Sequence, residues 1–384
     1  MSSTALPMPA AANPGDRLAA IDTPALLLDL DAFERNLARM QALASGAGVA
    51  LRPHAKAHKT PAIALAQLQR GAVGICCQKV SEALPFLQAG VADIHISNQI
   101  AGPAKAALLA QMALSARLSV CVDHPQQVAD LAAATAAAGS RLGVLVEIDI
   151  GQGRCGVADA AAVQRLLQAM APHAQLRFGG LQAYHGGVQH VRGLEARRAA
   201  AARAAERVGR VVAALAAVGV ACPVVSGGGS GSAQFDATSG LYTELQPGSY
   251  VFMDADYGRN VADAALTFEH SLFVASTVMS VGDGSRCILD AGLKSLAVDS
   301  GLPMLWQHGA ASAGLAYTAA NDEHGIVQAV DQAKAGTTLP ALGSQVLLVP
   351  GHCDPTLNLH DQLVACRGGV VQALWPIAAR GFSR

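Results

Sequence analysis

The sequence predicts an α/β protein in which a (β/α)8 barrel of the TIM type is followed by a smaller antiparallel β domain. Between about residues 24 and 258, short apolar runs alternate with Ala- and Leu-rich runs of helical character. Apolar strands separated by helices are typical of a covered parallel sheet, and this many units close naturally into a barrel. After residue 258, short apolar runs alternate with Gly- and Asp-containing turns, which indicates antiparallel strands.

Nine strands are predicted in the first part, one more than a (β/α)8 barrel needs. They lie at residues 23–29, 49–55, 74–78, 93–97, 118–123, 143–150, 178–185, 223–227 and 245–252. The helices between them lie at 30–43, 60–71, 81–90, 103–113, 125–139, 159–170 and 192–218. We expect strand 23–29 to leave the barrel and pair with the second domain.

The predicted strands and helices divide the chain into three segments. Residues 1–30 form an N-terminal arm and a strand that packs on the β domain, residues 31–258 form the barrel, and residues 259–384 form the β domain. Predicted strands of the β domain include 271–281, 286–290, 345–349 and 369–375.

Composition excludes several classes of protein. The net charge is -1 without a basic run, which argues against nucleic acid or an anionic membrane as partner. The apolar stretches are too short for a transmembrane helix. The N-terminal residues lack the pattern of a signal peptide, and the 8 cysteines are scattered, so we expect reduced thiols and a cytoplasmic protein.

Lys59 follows the strand at 49–55, where β/α barrels place their reactive groups. A lysine that forms a Schiff base must lose its proton. The sequence surrounds this amine with cationic groups that favour the neutral form: Arg52, Lys56 and, if protonated, His54 and His58. A solvated basic loop is the alternative for this segment by itself.

A glycine-rich run after the strand at 223–227 predicts a phosphate site. It offers backbone N–H groups and hydroxyls without bulk, and a second segment at the last barrel strand forms the natural opposite wall. The candidate binding residues are Ser226, Gly228, Gly229, Ser230, Gly248, Ser249 and Tyr250. A flexible linker is the alternative, but hydrophobic strands bracket the run closely.

Two other strand ends complete an inventory typical of a pyridoxal phosphate (PLP) enzyme. Arg154, between glycines after the strand at 143–150, can hold the phenolate oxygen of the cofactor. Tyr184 can hydrogen-bond the pyridine nitrogen, and His185 can pack near the ring. A core tyrosine and a core histidine are the alternatives for the last two.

The second domain contains a candidate metal site at His352 and Asp354. If this segment is extended, both side chains point to one face and Cys353 to the other. An imidazole plus a carboxylate suits Mn²⁺ or Mg²⁺, whereas zinc would more readily recruit the thiolate. A structural turn is the alternative reading of these two ligands.

Six segments together resemble the D-threonine aldolases, which are fold-type III PLP enzymes of the alanine racemase and D-serine dehydratase-like group. They lie at 52–59, 75–83, 151–156, 183–186, 227–232 and 352–356, and the resemblance extends from about residue 15 to residue 384. It implies an alanine-racemase-type barrel with a β domain, and a homodimer with active sites at the interface. It also implies cleavage of D-threonine and other D-β-hydroxy-α-amino acids to glycine and an aldehyde.

The resemblance also implies roles for individual residues. Lys59 would carry the cofactor covalently, Arg154 would bind its O3′ and Tyr184 its pyridine nitrogen. A Mn²⁺ ion, or another divalent ion such as Mg²⁺ or Co²⁺, would lie on the candidate metal pair. His190, or a metal-bound water, would take the proton from the β-hydroxyl of the substrate.

Three alternatives remain open. D-serine dehydratases carry a His-x-Cys pair, whereas this chain has Asp354 in the third position with Cys353 between, which favours the aldolase over a D-serine or D-3-hydroxyaspartate dehydratase. A racemase gives no role to a metal pair, and a non-catalytic PLP-binding protein would usually lack the β domain. The β-substituent of the substrate and the roles of Lys79, Glu82 and the polar cluster at 321–324 are left open.

Overall fold

A computed structural model of the chain describes residues 10–263, 266–330 and 338–384. These residues divide into two compact units. The barrel unit comprises residues 35–251, 256–268 and 378–384, and the β unit comprises the described parts of 1–34, 252–255 and 269–377. Each unit is therefore built from separate parts of the chain, whereas three consecutive segments are predicted from the sequence.

The barrel unit contains a parallel sheet that has eight strands in the described residues and closes on itself. The first strand of the chain, β1 (Ala25–Asp29), lies in the β unit. The barrel strands are β2 (Ala50–Leu51), β3 (Ile75–Cys77), β4 (Asp93–Gln99), β5 (Arg117–Val122), β6 (Leu142–Glu147), β7 (Leu176–Ala183), β8 (Val224–Gly227) and β9 (Glu244–Leu245). Their order is β2-β9-β8-β7-β6-β5-β4-β3. A parallel bridge between His54 and Cys76 joins the β2 end to the β3 end, so the predicted barrel fold is confirmed.

Helices follow β1 and most of the barrel strands, close to the predicted positions. They are α1 (Leu30–Ala47), α2 (Pro61–Gln69), α3 (Val80–Gln88), α4 (Pro103–Met112), α5 (Pro125–Ala138), α6 (Ala160–Met170), α7 (Leu194–Ala216), α8 (Ala233–Ala237) and α9 (Ala255–Gly258). Local sequence fixes their ends. Proline opens α2, α4 and α5, Asp159 caps α6 through the Ala162 N–H, and Gly139 ends α5 in the left-handed conformation. Within the described ranges, each helix is too short or too polar to cross a lipid bilayer.

The interior of the barrel is a polar network rather than a purely apolar core. The Ser226 hydroxyl donates to Glu244 at 2.6 Å, and Gln246 donates to the Ser226 hydroxyl at 2.7 Å. Gln182 and Gln246 exchange hydrogen bonds. Because these polar groups find partners, their burial is not penalised by unmade hydrogen bonds.

The β unit is a sheet built around β1. Its other strands are β10 (Leu272–Val281), β11 (Arg286–Leu289), β12 (Met304–Gln307), β13 (Ala310–Ala311), β14 (Leu315–Ala320), β15 (Gly325–Ala329), β16 (Gln345–Val349), β17 (Gln362–Arg367) and β18 (Val370–Pro376), with one short helix, α10 (Cys353–Leu357). β1 pairs antiparallel with β10 and parallel with β17. Its Leu27 packs in a core cluster with Phe273, Val364 and Val371.

The last described residues, 378–384, return to the barrel unit. The Ala379 N–H donates to the Lys59 carbonyl at 3.0 Å. The Arg384 carbonyl accepts from the backbone N–H of Ser81 at 3.0 Å and from its hydroxyl at 2.6 Å. This segment therefore supports the loops that follow β2 and β3.

Candidate active site

Lys59 lies beyond the C-terminal end of β2 in a constrained backbone conformation. Its φ of 47° is in the left-handed region, which is uncommon for residues other than glycine. Its N–H donates to the Ala55 carbonyl at 2.7 Å, and its carbonyl accepts from Ala379. Strained backbone of this kind persists only where the surroundings enforce it, and it is enriched at functional sites.

Glu82 is the partner of the Lys59 amine. The Lys59 Nζ lies 2.9 Å from Glu82 Oε1, and the Glu82 side chain is 1% exposed. Its second oxygen accepts from the N–H groups of Gln78 at 2.6 Å and Lys79 at 3.4 Å, at the start of α3. The helix start therefore fixes the carboxylate, and the carboxylate fixes the amine. From the sequence alone, Glu82 has no predicted role beyond an unspecified ion pair.

The two histidines before Lys59 are neutral, not protonated. The His54 Nδ1 accepts from the Lys56 N–H, and its Nε2 lies 2.9 Å from Ser97 Oγ. Burial holds the pKa of His54 well below its usual value and lowers the pKa of His58 to about 3. Burial therefore disfavours the protonated forms of His54 and His58 that would have added to the cationic surroundings of the amine, because the charged imidazole is poorly hydrated in the interior.

Arg52, too, is not part of the surroundings of the Lys59 amine. Its guanidinium pairs with Glu244 and with Asp93, each at 2.8 Å, at the N-terminal ends of β9 and β4. These strand ends lie at the opposite end of a parallel barrel from Lys59. Arg52 therefore stabilises the base of the barrel and does not contribute to the surroundings of the amine.

Arg154 and Tyr184 are brought together at the ends of β6 and β7. The Arg154 guanidinium lies 5.5 Å from the centre of the Tyr184 ring, and its Nη2 is 3.8 Å from Glu147 Oε1. Glu147 accepts a 2.6 Å hydrogen bond from Gln99, and burial raises its pKa. An arginine held over an aromatic ring is pre-organised to receive an anionic oxygen.

The glycine run after β8 is tightly packed, which excludes the flexible-linker alternative. A Cβ added to Gly227 would lie 1.9 Å from the Ala183 carbonyl, and one on Gly228, whose φ is 72°, would lie 2.7 Å from Asp236 Oδ2. The Ser230 hydroxyl accepts from the Tyr250 N–H at 2.9 Å. The two predicted walls of the phosphate site, the segment at 227–232 and the segment at 248–250, are therefore in contact.

Free backbone donors line these two segments. Counting acceptors only in the described ranges, the N–H groups of Gly228, Ser230 and Gly248 have none. Ser249 is buried beside them. Main-chain N–H groups without an internal acceptor, in a stretch with little side-chain bulk, are the donor set that a phosphate requires.

Two residues that the sequence analysis missed fix this loop. Gln189 accepts from the Gly231 N–H at 2.9 Å and donates to the Ser232 hydroxyl at 2.8 Å. Arg197 donates to the Gly231 carbonyl at 2.9 Å and to the Val191 carbonyl at 2.7 Å. The segment that contains His190 is therefore hydrogen-bonded to the glycine run. No local pattern in the sequence predicts these contacts.

Two predicted side chains lie in the protein interior, and that of His185 is half-buried. The Ser226 hydroxyl is engaged by Glu244, and Tyr250 is fully buried with its hydroxyl accepting from Gln67 at 3.1 Å. The Nδ1 of His185 is buried without a hydrogen-bond partner in the described residues, and burial lowers the pKa of this imidazole. At Ser226 and Tyr250, only the backbone is left to serve a ligand.

His190 forms a close pair with Asp256. Its Nδ1 lies 2.6 Å from Asp256 Oδ2, and its ring centre is 5.5 Å from that of Tyr257. Arg192 contacts the other oxygen of the same carboxylate and donates to the Asp256 carbonyl at 2.6 Å. Burial acts to raise the pKa of Asp256, but hydrogen bonds from Arg192 and His190 hold it below its usual value.

The β unit places His352 and Asp354 at the start of α10. His352 is the extended N-cap residue, with φ -143° and ψ 123°, but the helix begins at Cys353, so the extended alternation that suggested a common face does not apply. The His352 Nδ1 lies 2.8 Å from Asp299 Oδ2. Burial opposes protonation of His352, but the hydrogen bond to Asp299 and the carboxylates of Asp354 and Asp254 raise its pKa.

Cys353 is unsuited to bind metal. It is fully buried, its N–H donates to Asp254 Oδ2 at 2.9 Å, and burial raises the pKa of its thiol well above the usual value. In the part of the chain that the structure describes, no three His, Cys, Asp or Glu side chains are grouped closely enough to hold a metal ion. The polar cluster at 321–324 forms a turn in which Glu323 pairs with Lys294.

Asp236, behind the glycine run, gives a prediction for stability. Burial raises its pKa to about 7. The folded state therefore holds this proton more tightly than the unfolded state. The resulting stability is complete below pH 3.8, the ordinary pKa, and is lost as the pH rises towards 7. We expect Asp236 to lower the free energy of unfolding by about 3 kcal/mol between pH 4 and pH 7.

The variant Asp236→Asn, which is isosteric and does not titrate, is expected to flatten this fall in urea unfolding measured across that range. Asp159→Asn is the control, since asparagine caps a helix as well as aspartate does. Equal slopes for the native protein and Asp236→Asn would contradict the prediction.

The chain is similar to known protein families, curated proteins and solved structures. The family described as Alanine racemase, N-terminal domain, matches residues 28–256, and the Putative serine dehydratase domain matches residues 271–366. The crystal structure of D-threonine aldolase from Filomicrobium marinum has a TM-score of 0.93 at 48% identity, covering 98% of this chain and 100% of that chain.

Curated relatives cover nearly the whole chain. A D-threonine aldolase of Arthrobacter sp is 55% identical over 380 residues, which is 99% of this chain and 98% of that protein. A 3-hydroxy-D-aspartate aldolase of Paracoccus denitrificans is 43% identical, covering 96% and 95%. A D-threo-3-hydroxyaspartate dehydratase of Delftia sp. is 32% identical, covering 89% and 93%. The two aldolases are thus more similar to this chain than the dehydratase is.

Proposed function

Since this chain belongs to the alanine racemase-type family that includes the D-threonine aldolases, we propose that it cleaves D-threonine and other D-β-hydroxy-α-amino acids to glycine and an aldehyde. PLP and a divalent metal ion are the proposed cofactors. The observation that supports this most directly is the set of groups at the C-terminal ends of the barrel strands. Lys59 with Glu82, Arg154 with Tyr184, and the packed glycine run all follow such ends.

The residues at the strand ends fit PLP. Lys59 would hold it covalently, Arg154 would bind its phenolic oxygen, and Tyr184 its pyridine nitrogen. The phosphate would lie on the free N–H groups of the two phosphate-site segments, with Ser249 beside them and His185 near the ring. The glycine packing supports this, because side chains at those positions would fill the space that the main chain needs. When bound, PLP supplies the electron sink for the broken Cα–Cβ bond.

Glu82 has a role of its own in this scheme. It holds the Lys59 amine in one position through the 2.9 Å ion pair. Because α3 fixes the carboxylate, the amine cannot swing into solvent without losing a buried partner.

His352 and Asp354 are the proposed ligands of Mn²⁺, or of Mg²⁺ or Co²⁺. The contact of His352 Nδ1 with Asp299 leaves Nε2 available to a metal, an arrangement common for metal-binding histidines. When bound, the ion would supply Lewis acidity toward the β-hydroxyl of the substrate. His190 is the proposed base that takes the hydroxyl proton.

The main rival is dehydration of D-serine or D-3-hydroxyaspartate, which would give a keto acid and ammonia. The lower identity to the dehydratase and the carboxylate at Asp354 support the aldolase. A non-catalytic PLP-binding protein is disfavoured, since the enzymes above match this chain over both units. A homodimer, a cytoplasmic location and the absence of nucleic-acid or membrane partners also belong to this proposal, on the grounds of the family resemblance and the composition.

Product analysis tests the proposal. The purified protein is incubated with PLP and Mn²⁺ and with D-threonine, D-serine or 3-hydroxy-D-aspartate in separate reactions. Glycine and acetaldehyde from D-threonine are the expected products. Release of 2-oxobutanoate, pyruvate or oxaloacetate with ammonia would establish a dehydratase instead, and no turnover of any of the three would support the non-catalytic alternative.

A further inference from the structure

Asp256 has no role in the reaction as proposed above, although it forms a close pair with His190. The structure assigns it the role of a positioning residue: we propose that it fixes the tautomer and the orientation of His190, so that Nε2 is the atom that accepts the proton. This inference rests on the proposed role of His190 as the base.

The tautomer follows from the chemistry of the contact. An ionised carboxylate can only accept hydrogen bonds, so at 2.6 Å from Asp256 Oδ2 the His190 Nδ1 must donate. The single proton of the neutral imidazole is then on Nδ1, and the lone pair is on Nε2. Within the described residues, no hydrogen-bond partner is found for Nε2, so this atom is free to act on a substrate.

Asp256 is itself held in place and ionised. Its side chain is only 8% exposed, and Arg192 contacts both its second carboxylate oxygen and its carbonyl. Arg192 also donates to Asn260 at 2.9 Å, and Asn260 donates to the Gln189 carbonyl at 2.9 Å. The carboxylate is therefore clamped between a cation and an imidazole, as in a hydrogen-bonded catalytic pair.

His190 needs this support. Its side chain is 49% exposed, so without a partner the ring would rotate and exchange tautomers freely. Tyr257 packs near it, with the two ring planes tilted by 45°. The contact with Asp256 is the interaction that makes the choice.

The variant Asp256→Asn isolates the effect. Arg192 can only donate, so the amide oxygen turns to Arg192 and the amide NH₂ faces His190 Nδ1. Nδ1 must then accept, and the proton moves to Nε2, which can no longer act as a base. We expect kcat for D-threonine cleavage by the holoenzyme to fall by about 10³-fold, with little change in KM, as with wrong-tautomer substitutions elsewhere. Asp159→Asn on the surface is the matched control and keeps the native rate.

Nitrogen-15 NMR of histidine-labelled holoenzyme provides the readout that a merely structural role would not change. The His190 signals are assigned by their loss in His190→Gln. We expect the Nδ1–H tautomer in the native protein and the Nε2–H tautomer in Asp256→Asn. A native Nε2–H tautomer would overturn the inference without any variant being needed, and so would native kcat in Asp256→Asn.

The role of His190 as the base and the positioning role of Asp256 can be rejected separately. If His190→Gln retains full cleavage, the base assignment is wrong, while the tautomer measurement still judges the pairing with Asp256. If His190→Gln is inactive and Asp256→Asn is fully active, the base assignment stands and the positioning role is rejected.

Discussion

Replacing Lys59 with arginine is expected to reduce D-threonine cleavage by about 10⁴-fold or more while leaving the protein folded. A guanidinium keeps the positive charge and can still pair with Glu82, but it does not form an imine. The visible absorbance of the covalently bound cofactor should disappear with the activity. Activity, absorbance and urea unfolding are measured on the same preparation.

Arginine is the better variant because of what the structure shows around the amine. In Lys59→Ala, the Glu82 carboxylate, whose side chain is 1% exposed, would lose its counter-charge. Removing one partner of a buried ion pair costs about 3–5 kcal/mol, so loss of activity could reflect unfolding. We therefore expect Lys59→Ala to be clearly less stable than Lys59→Arg. Retention of cleavage by Lys59→Arg would reject Lys59 as the residue that holds the cofactor.

Removal of the divalent ion is expected to lower cleavage by about 10³-fold, since Lewis-acid assistance contributes several kcal/mol and each 1.4 kcal/mol is a factor of ten. Dialysis against EDTA should lower turnover to this level, and added Mn²⁺ should restore it. Asp354→Asn should show the same loss, and Mn²⁺ should no longer restore it, because a neutral amide is a poor ligand for a hard cation.

Asp283→Asn is the matched control for the metal site. Asp283 caps an exposed turn of the β unit through Ser285, where asparagine can substitute. Bound manganese is measured in each protein by atomic absorption. Full manganese occupancy and native turnover in Asp354→Asn would place the metal elsewhere, whereas full activity in EDTA would remove the metal from the reaction.

The barrel and its reactive strand ends could be predicted from sequence because both depend on local patterns. Alternating apolar and helical runs gave the strands, and the position of Lys59 or the glycine run relative to a strand is readable over a few residues. Only the three-dimensional structure explains why glycine is needed there, because Gly227 closely approaches Ala183 of the neighbouring strand.

Contacts between distant segments could not be predicted in this way. Asp256 is 66 residues from His190, and Asp299 is 53 residues from His352. Whether His54 is protonated could not be predicted, because a run of basic residues does not show that the imidazole is buried. A helix beginning at Cys353 was missed for a related reason, since the segment is short and begins beside a glycine and a proline.

The return of residues 378–384 to the barrel has a consequence for the order of events on the ribosome. Ser81 and Arg384 are 303 residues apart, and the Lys59 carbonyl accepts its hydrogen bond from the distant Ala379 N–H. The early strands and helices can begin to fold as they emerge, because domains form during synthesis. The backbone around Lys59, however, cannot gain its last hydrogen bond until this late segment has left the exit tunnel. The backbone at Lys59 would therefore be completed late, whereas Glu82, which pairs with the amine, is synthesised early.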